Sequence, residues 1–145
     1  MSGPNLGSVL WPPGGRVEEL DGAECRRLLE STTVGRLGYT SERGPRIIPV
    51  NYAVRSDSVA FRTAQQTEVA HLALGRIVAF EVDQIDDFLR SGWSVLVVGK
   101  LTEMSPSATQ MLDLSQTPVP WAGGDRTLYC EVPFTELSGR RIHPG

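Results

Sequence analysis

Arg90 to Leu101 reads RSGWSVLVVGKL. Val95, Leu96, Val97 and Val98 form an unbroken aliphatic run, which suits a strand with apolar neighbours on both faces. The strand opens on Gly92-Trp93-Ser94, a residue without a side chain, the largest side chain and a small hydroxyl. Two roles fit this order. Trp93 closes the core at a strand end, or Trp93 and Ser94 face a ligand while Gly92 admits close backbone approach.

On the N-terminal side, Ile77–Val82 reads as the preceding strand, joined to Ser94–Met104 by the charged connection Asp83–Arg90. Further upstream, Val34–Tyr39, Arg46–Val54 and Val59–Thr63 are strands separated by turns at Ser41–Gly44 and Ser56–Ser58. Such tight connections predict an antiparallel meander. Pro49 interrupts the second strand and marks it as an edge or a bulge, because proline donates nothing to a ladder. Asp21 and Glu24 suit a reciprocal cap on a short helix carrying Cys25, Leu28 and Leu29 and ending near Ser31. Thr67 opens another helix, which Gly75 ends. Downstream, Ser105-Pro106-Ser107 starts a helix through Leu114, Thr127–Val132 is a sixth strand, and Thr135–Ile142 closes the chain. Residues 1–16 are rich in Pro and Gly and predict a flexible or wrapping arm, leaving 17–145 as one domain. Six strands, short turns and peripheral helices predict a mainly β fold, a small antiparallel barrel.

The 145 residues suffice for one domain with its own core. Net charge is −3 and Lys100 is the sole lysine, which argues against generic binding to nucleic acid, since that relies on clustered basic residues. Arginine's planar fork leaves a small anionic ligand open. No apolar run reaches the roughly 18 residues of a membrane span. No secretory signal pattern is present, so a cytoplasmic location is the expectation. Cys25 and Cys130 lack metal or redox spacing and read as buried small hydrophobes, while His71 and His143 read as structural or solvated.

No hydrolase elbow, Gly-rich phosphate loop or metalloprotease helix occurs. Polar residues instead gather at strand ends: Arg46, Asn51, Arg62, Thr63, Thr67 and Ser94. Arg62 and Thr63 end a strand four residues before the helix start at Thr67, where free N–H groups would favour an anion.

In order, VGRLGYT (34–40), PRIIPVNYAV (45–54), FRTAQQTEVA (61–70), VAFEVDQID (78–86), SGWSVLVVGK (91–100), PWAGG (120–124) and SGRRI (138–142) resemble the pyridoxamine 5'-phosphate oxidase-like flavin-binding split-barrel proteins. The nearest branch is that of small actinobacterial and nitroimidazole-resistance-like members. The resemblance implies a six-stranded antiparallel split β-barrel working as a homodimer, with two FMN sites at the subunit interface. It implies that Arg46, Ile48, Pro49, Val50 and Asn51 lie along the isoalloxazine ring. Arg62, Thr63 and Thr67 would hold the phosphate, and Trp93, Ser94 and Trp121 would come from the other subunit. The chemistry implied is a hydride exchanged between the flavin and a small organic molecule.

One position departs from the family loop F-R-T-x-x-G-[ST]-K: Gln66 stands for the glycine and Glu68 for the lysine. A carboxylate where an ammonium would face a phosphate weakens that contact unless a nearby arginine compensates. Three readings follow: an FMN-dependent oxidoreductase, the same barrel using the deazaflavin F420, or a barrel without flavin serving as a binding protein or a cofactor-independent enzyme. Trp121 could equally plug the barrel mouth, Asn51 satisfy a bulge beside Pro49, and Arg140 and Arg141 pair with carboxylates across the dimer.

Overall fold

A computed structural model describes residues 15–105 and 127–145. Among these described residues ten strands form two antiparallel sheets. They are β1 (Arg16–Glu19), β2 (Val34–Ser41), β3 (Gly44–Asn51), β4 (Ala53–Arg55), β5 (Ser58–Ala64), β6 (Ile77–Asp86), β7 (Ser91–Lys100), β8 (Thr102–Glu103), β9 (Thr127–Pro133) and β10 (Glu136–His143). The six-stranded sheet runs β1-β10-β7-β6-β2-β3, and the four-stranded sheet β4-β5-β9-β8. Their apolar faces enclose one main core, which is the split-barrel arrangement.

The alternation along β2 shows how sequence becomes barrel wall. Gly35, Leu37 and Tyr39 are buried, while Val34, Arg36 and Thr40 are exposed. A Cβ on Gly35 would lie 2.3 Å from the Phe80 ring, so a side chain is missing where the wall is thickest. Phe80 in turn meets Tyr52 edge to face at 4.8 Å. Helix α1 (Gly22–Glu30) lays Cys25, Leu28 and Leu29 on this core. A fully buried side chain such as Leu29 contributes roughly 1.5–3 kcal/mol. Tyr52 Oη donates to Leu29 O at 2.6 Å and ties the helix end to the wall.

Several elements differ from the sequence reading. The predicted second strand is two, because the chain leaves the ladder at Tyr52, whose N–H donates to Thr33 O, and crosses to the other sheet. The three-strand meander is therefore divided: β3 pairs with β2, whereas β5 pairs with β4 and β9. The predicted fifth strand also breaks, at Leu101, where Gly75 N–H donates to Leu101 O and Leu101 N–H to Arg76 O. The β6–β7 hairpin is longer than expected, pairing Asp86 with Ser91, so only residues 87–90 connect it. Arg16 sits in β1, which pairs with β10, so the expected arm does not reach residue 16; its residues 1–14 lie outside the described residues, as do Trp121 and nearly all of the helix expected from Ser105.

Pro49 falls on β3, an edge strand, as its missing donor requires. The register from Val34–Asn51 to Ser41–Gly44 is one to one, so no bulge is present and Asn51 satisfies none. At α1, Asp21 caps Glu24 N–H at 2.8 Å, but the reciprocal half is replaced: Glu24 instead accepts from Arg27 and Arg141. Those two guanidinium groups hold the Glu24 carboxyl below its ordinary range. Arg141 is thereby paired within its own chain.

Candidate functional site

Gly92 does admit a close approach, and the partner is the chain's own backbone. A Cβ there would lie 2.4 Å from Gln84 O of the paired strand. Trp93 is half-buried and packs against the core, so within one chain it closes the barrel end. Strands β6 and β2 separate β7 from β3, so Trp93 and Ser94 are not beside the β3 residues of the same chain.

Among the remaining predicted residues Arg46 meets Glu68 and Thr63 meets Thr67. Among the described residues β3 pairs on one side with β2 and has no strand on the other, which leaves an open ladder edge along Arg46–Asn51. Ile48 and Val50 pack inward against the core, while Ile47 is 74% exposed. Arg46 lies opposite Tyr39 in register. Glu68 reaches the same place from the turn after β5: Tyr39 Oη donates to Glu68 Oε1 at 2.6 Å, and Arg46 Nε is 4.0 Å from that oxygen. Burial first, then the Glu68 carboxylate, push the Tyr39 phenol up to about 12, so it stays a donor. The Arg46–Glu68 pair is about half exposed and worth at most about 1 kcal/mol.

Arg62 and Thr63 end β5, and Thr67 follows in the turn. The expected helix is a single π-helical turn of five residues, Val69–Ala73, too short to act as an anion-binding terminus. Thr67 Oγ1 donates to Ala64 O at 2.9 Å and accepts from Ala70 N–H at 3.3 Å. Its 2.9 Å contact with Thr63 Oγ1 must then use the Thr63 proton. Both hydroxyl protons are committed to the turn itself. A phosphoryl group at this end would find positive charge from Arg46 and the side-chain oxygens of the threonines, but no ammonium. The donor set fits a singly charged phosphoryl group better than a dianion.

Tyr39 was absent from the residues picked out by sequence, although it is the hinge of this cluster. The available signal was its inward phase with Leu37 on β2, which would have placed its hydroxyl at the open end of the barrel. Tyr39 also lines a cleft of about 450 Å³ with Thr40, Leu72, Arg76 and Ile77. None of the described residues among those predicted from sequence lines that cleft. His71 is exposed on the short turn and His143 bonds Glu18 at 2.7 Å. No group of His, Cys, Asp and Glu that could hold a metal occurs among the described residues. No helix among them is long and apolar enough to cross a membrane.

Comparison with known proteins agrees with this geometry. The chain is 40% identical over 131 residues to the uncharacterized protein Rv0080 of Mycobacterium tuberculosis, covering 87% of this chain and 86% of that one. Among solved structures it is similar to the FAD binding protein of Mycobacterium smegmatis, with 31% identity, a TM-score of 0.68, and 87% and 98% of the two chains covered. A candidate 5-nitroimidazole antibiotic resistance protein of Bacteroides thetaiotaomicron shares the fold, with a TM-score of 0.71, 13% identity and 89% of each chain covered. The model of the pyridoxamine 5'-phosphate oxidase family matches residues 21–141, which take in the four-stranded sheet, the six-stranded sheet except β1 and the end of β10, and the Thr63–Glu68 turn. The chain belongs to the pyridoxamine 5'-phosphate oxidase family.

Proposed function

We propose that this protein binds a flavin and acts, as a homodimer, as an oxidoreductase on a small organic molecule. The observation that carries this reading is the open edge of β3 running from Arg46 to Asn51 beside the Arg62–Glu68 turn. A flavin ring carries donors and acceptors along one edge, and an unpaired strand offers the complementary N–H and C=O groups. The 31% identity to an FAD binding protein over nearly all of that chain supports the same reading.

In this role β3 orients the ring through its backbone, Pro49 keeps a further strand from pairing there, and Arg46 and Arg62 attract the phosphoryl end. A bound flavin supplies hydride transfer, and the protein supplies orientation and exclusion of water. The dimer reading is supported by the outer face of the six-stranded sheet. There Val34, Ile47, Ile77, Ile85 and Leu96 are exposed, and the strand register puts them on one face. Ser94, which shares that face with Leu96, would reach the partner's site across such an interface.

The test is direct. Purified protein, as isolated or after incubation with FMN or FAD and desalting, should be yellow, absorb near 450 nm and release the flavin on denaturation. Protein that stays colourless with both flavins overturns the reading. Sedimentation equilibrium should give twice the chain mass; a monomer would remove the shared site.

A further inference from the structure

We infer that Glu68 makes this site discriminate between flavins, favouring FAD over FMN. The inference rests on the flavin-binding reading above and adds which flavin the site takes.

Tyr39 gives its hydroxyl proton to Glu68, Thr63 gives its own to Thr67, and Thr67 gives its own to Ala64 O. Three side chains that could donate to a phosphate are thus already bonded within the protein. What they leave at the open end of the barrel is lone pairs and the Glu68 carboxylate, whose Oε1 lies 4.0 Å from Arg46 Nε. Glu68 offsets part of the positive charge that Arg46 would offer.

FMN ends in a phosphate monoester, whose second ionisation lies near pH 6, so it approaches two negative charges at pH 7.5. In FAD the corresponding phosphoryl group is joined by an ester to the ribityl chain and by an anhydride to the adenylate phosphorus, so the two charges of the diphosphate are divided, one on each phosphorus. The second charge of FMN must enter beside a carboxylate held in place by Tyr39, with the hydroxyl donors engaged. FAD carries its second charge on the next phosphorus, so the group beside Glu68 bears one charge instead of two. Screening at this half-exposed position reduces the penalty but leaves its sign.

The experiment measures dissociation constants of FMN, FAD and riboflavin by flavin fluorescence quenching at pH 7.5, for the wild type, Glu68→Lys and Glu68→Gln, with thermal melts to establish folding. The wild type should bind FAD at least tenfold more tightly than FMN. Glu68→Lys should shift the ratio toward FMN by at least tenfold, and Glu68→Gln, which keeps an acceptor for Tyr39, should shift it the same way by a smaller factor. Riboflavin, without a phosphoryl group, should bind all three proteins alike. Equal affinities of the wild type for FMN and FAD, or an unchanged ratio in both variants, overturns the inference while leaving flavin binding intact. Failure of all three flavins to bind the folded wild type overturns the flavin reading, and this inference with it.

Discussion

Gly99→Ala tests whether the two sheets are held as close as the split barrel requires. Gly99 lies near the end of β7, where the six-stranded sheet meets β9 of the other. A Cβ added there would stand 2.4 Å from Pro133 O and 3.2 Å from Pro133 Cδ and Cγ. The nearest obstacle is backbone, and Pro133 is paired with Ser58 in β5, so it cannot rotate out of the way. Ordinary contact begins near 3.4 Å, so the sheets must part locally by about 1 Å. Overpacking of this kind costs about 1–3 kcal/mol, and a backbone obstacle puts Gly99→Ala at the upper end. For a chain of this length that is a fall in Tm of roughly 10 °C. The assay is urea unfolding followed by far-ultraviolet circular dichroism, without added flavin, alongside thermal melts. Gly22→Ala is the control: nothing lies within 4 Å of its Cβ, and as the first residue of α1 it should be neutral or stabilising by up to about 1 kcal/mol. A Gly99→Ala protein within about 0.5 kcal/mol of the wild type would refute the close approach of β7 and β9.

Tyr52→Phe removes the bond to Leu29 O while keeping the ring against Phe80, and should cost about 1–2 kcal/mol in urea unfolding, with no change in flavin affinity. Glu81 is pushed up to about 7 by burial first and by Asp83 second, with the shared Arg36 guanidinium opposing. Because its pKa is raised on folding, its stabilising effect is complete below the unfolded value of 4.5 and is lost as pH rises through about 7. Glu81→Gln should therefore flatten that part of the stability profile between pH 4.5 and 8, an effect on the order of 1 kcal/mol once screening at this partly exposed side chain is included; a profile parallel to the wild type would contradict it. Cys25 and Cys130 have no exposed surface, and burial raises both thiols, Cys130 to about 12. Neither should react with a thiol reagent in the native protein at pH 8, and both should react in denaturant.

Much of the wall was legible in sequence because a strand advertises itself locally. The strand pattern of β2, the aliphatic run of β7 and the proline of β3 each constrain only their nearest neighbours, and each lies in a strand. β7, however, buries Val95 and Val97 and leaves Leu96 exposed, so it is not apolar on both faces, contrary to expectation. The places where one ladder stops and the other begins were not legible. Tyr52 and Leu101 look like ordinary strand residues, and their departures depend on Thr33 and on Gly75 and Arg76, which complete their hydrogen bonds from elsewhere in the fold. The turn at Thr67 misled for a related reason: its helical signals were real, but a chain that must return at Gly75 to meet Leu101 has room for a single π-helical turn.

By itself the sequence determined the class of fold, an edge or a bulge at Pro49, the short helix with Cys25, Leu28 and Leu29, and the substitution of Glu68 for an expected lysine. Each is a statement about one residue or one periodicity. Only the tertiary structure decided what Glu68 does. Its partners, Tyr39 and Arg46, lie on two other strands, 29 residues from Glu68 in the case of Tyr39, and meet it because β2 and β3 pair in one register beside the turn after β5. Gly92 carries the same lesson in reverse: the glycine marks a close approach, and the fold names Gln84 as the backbone that makes it. A side chain's type limits what it can bind, but its proton goes to whichever acceptor the fold brings within reach.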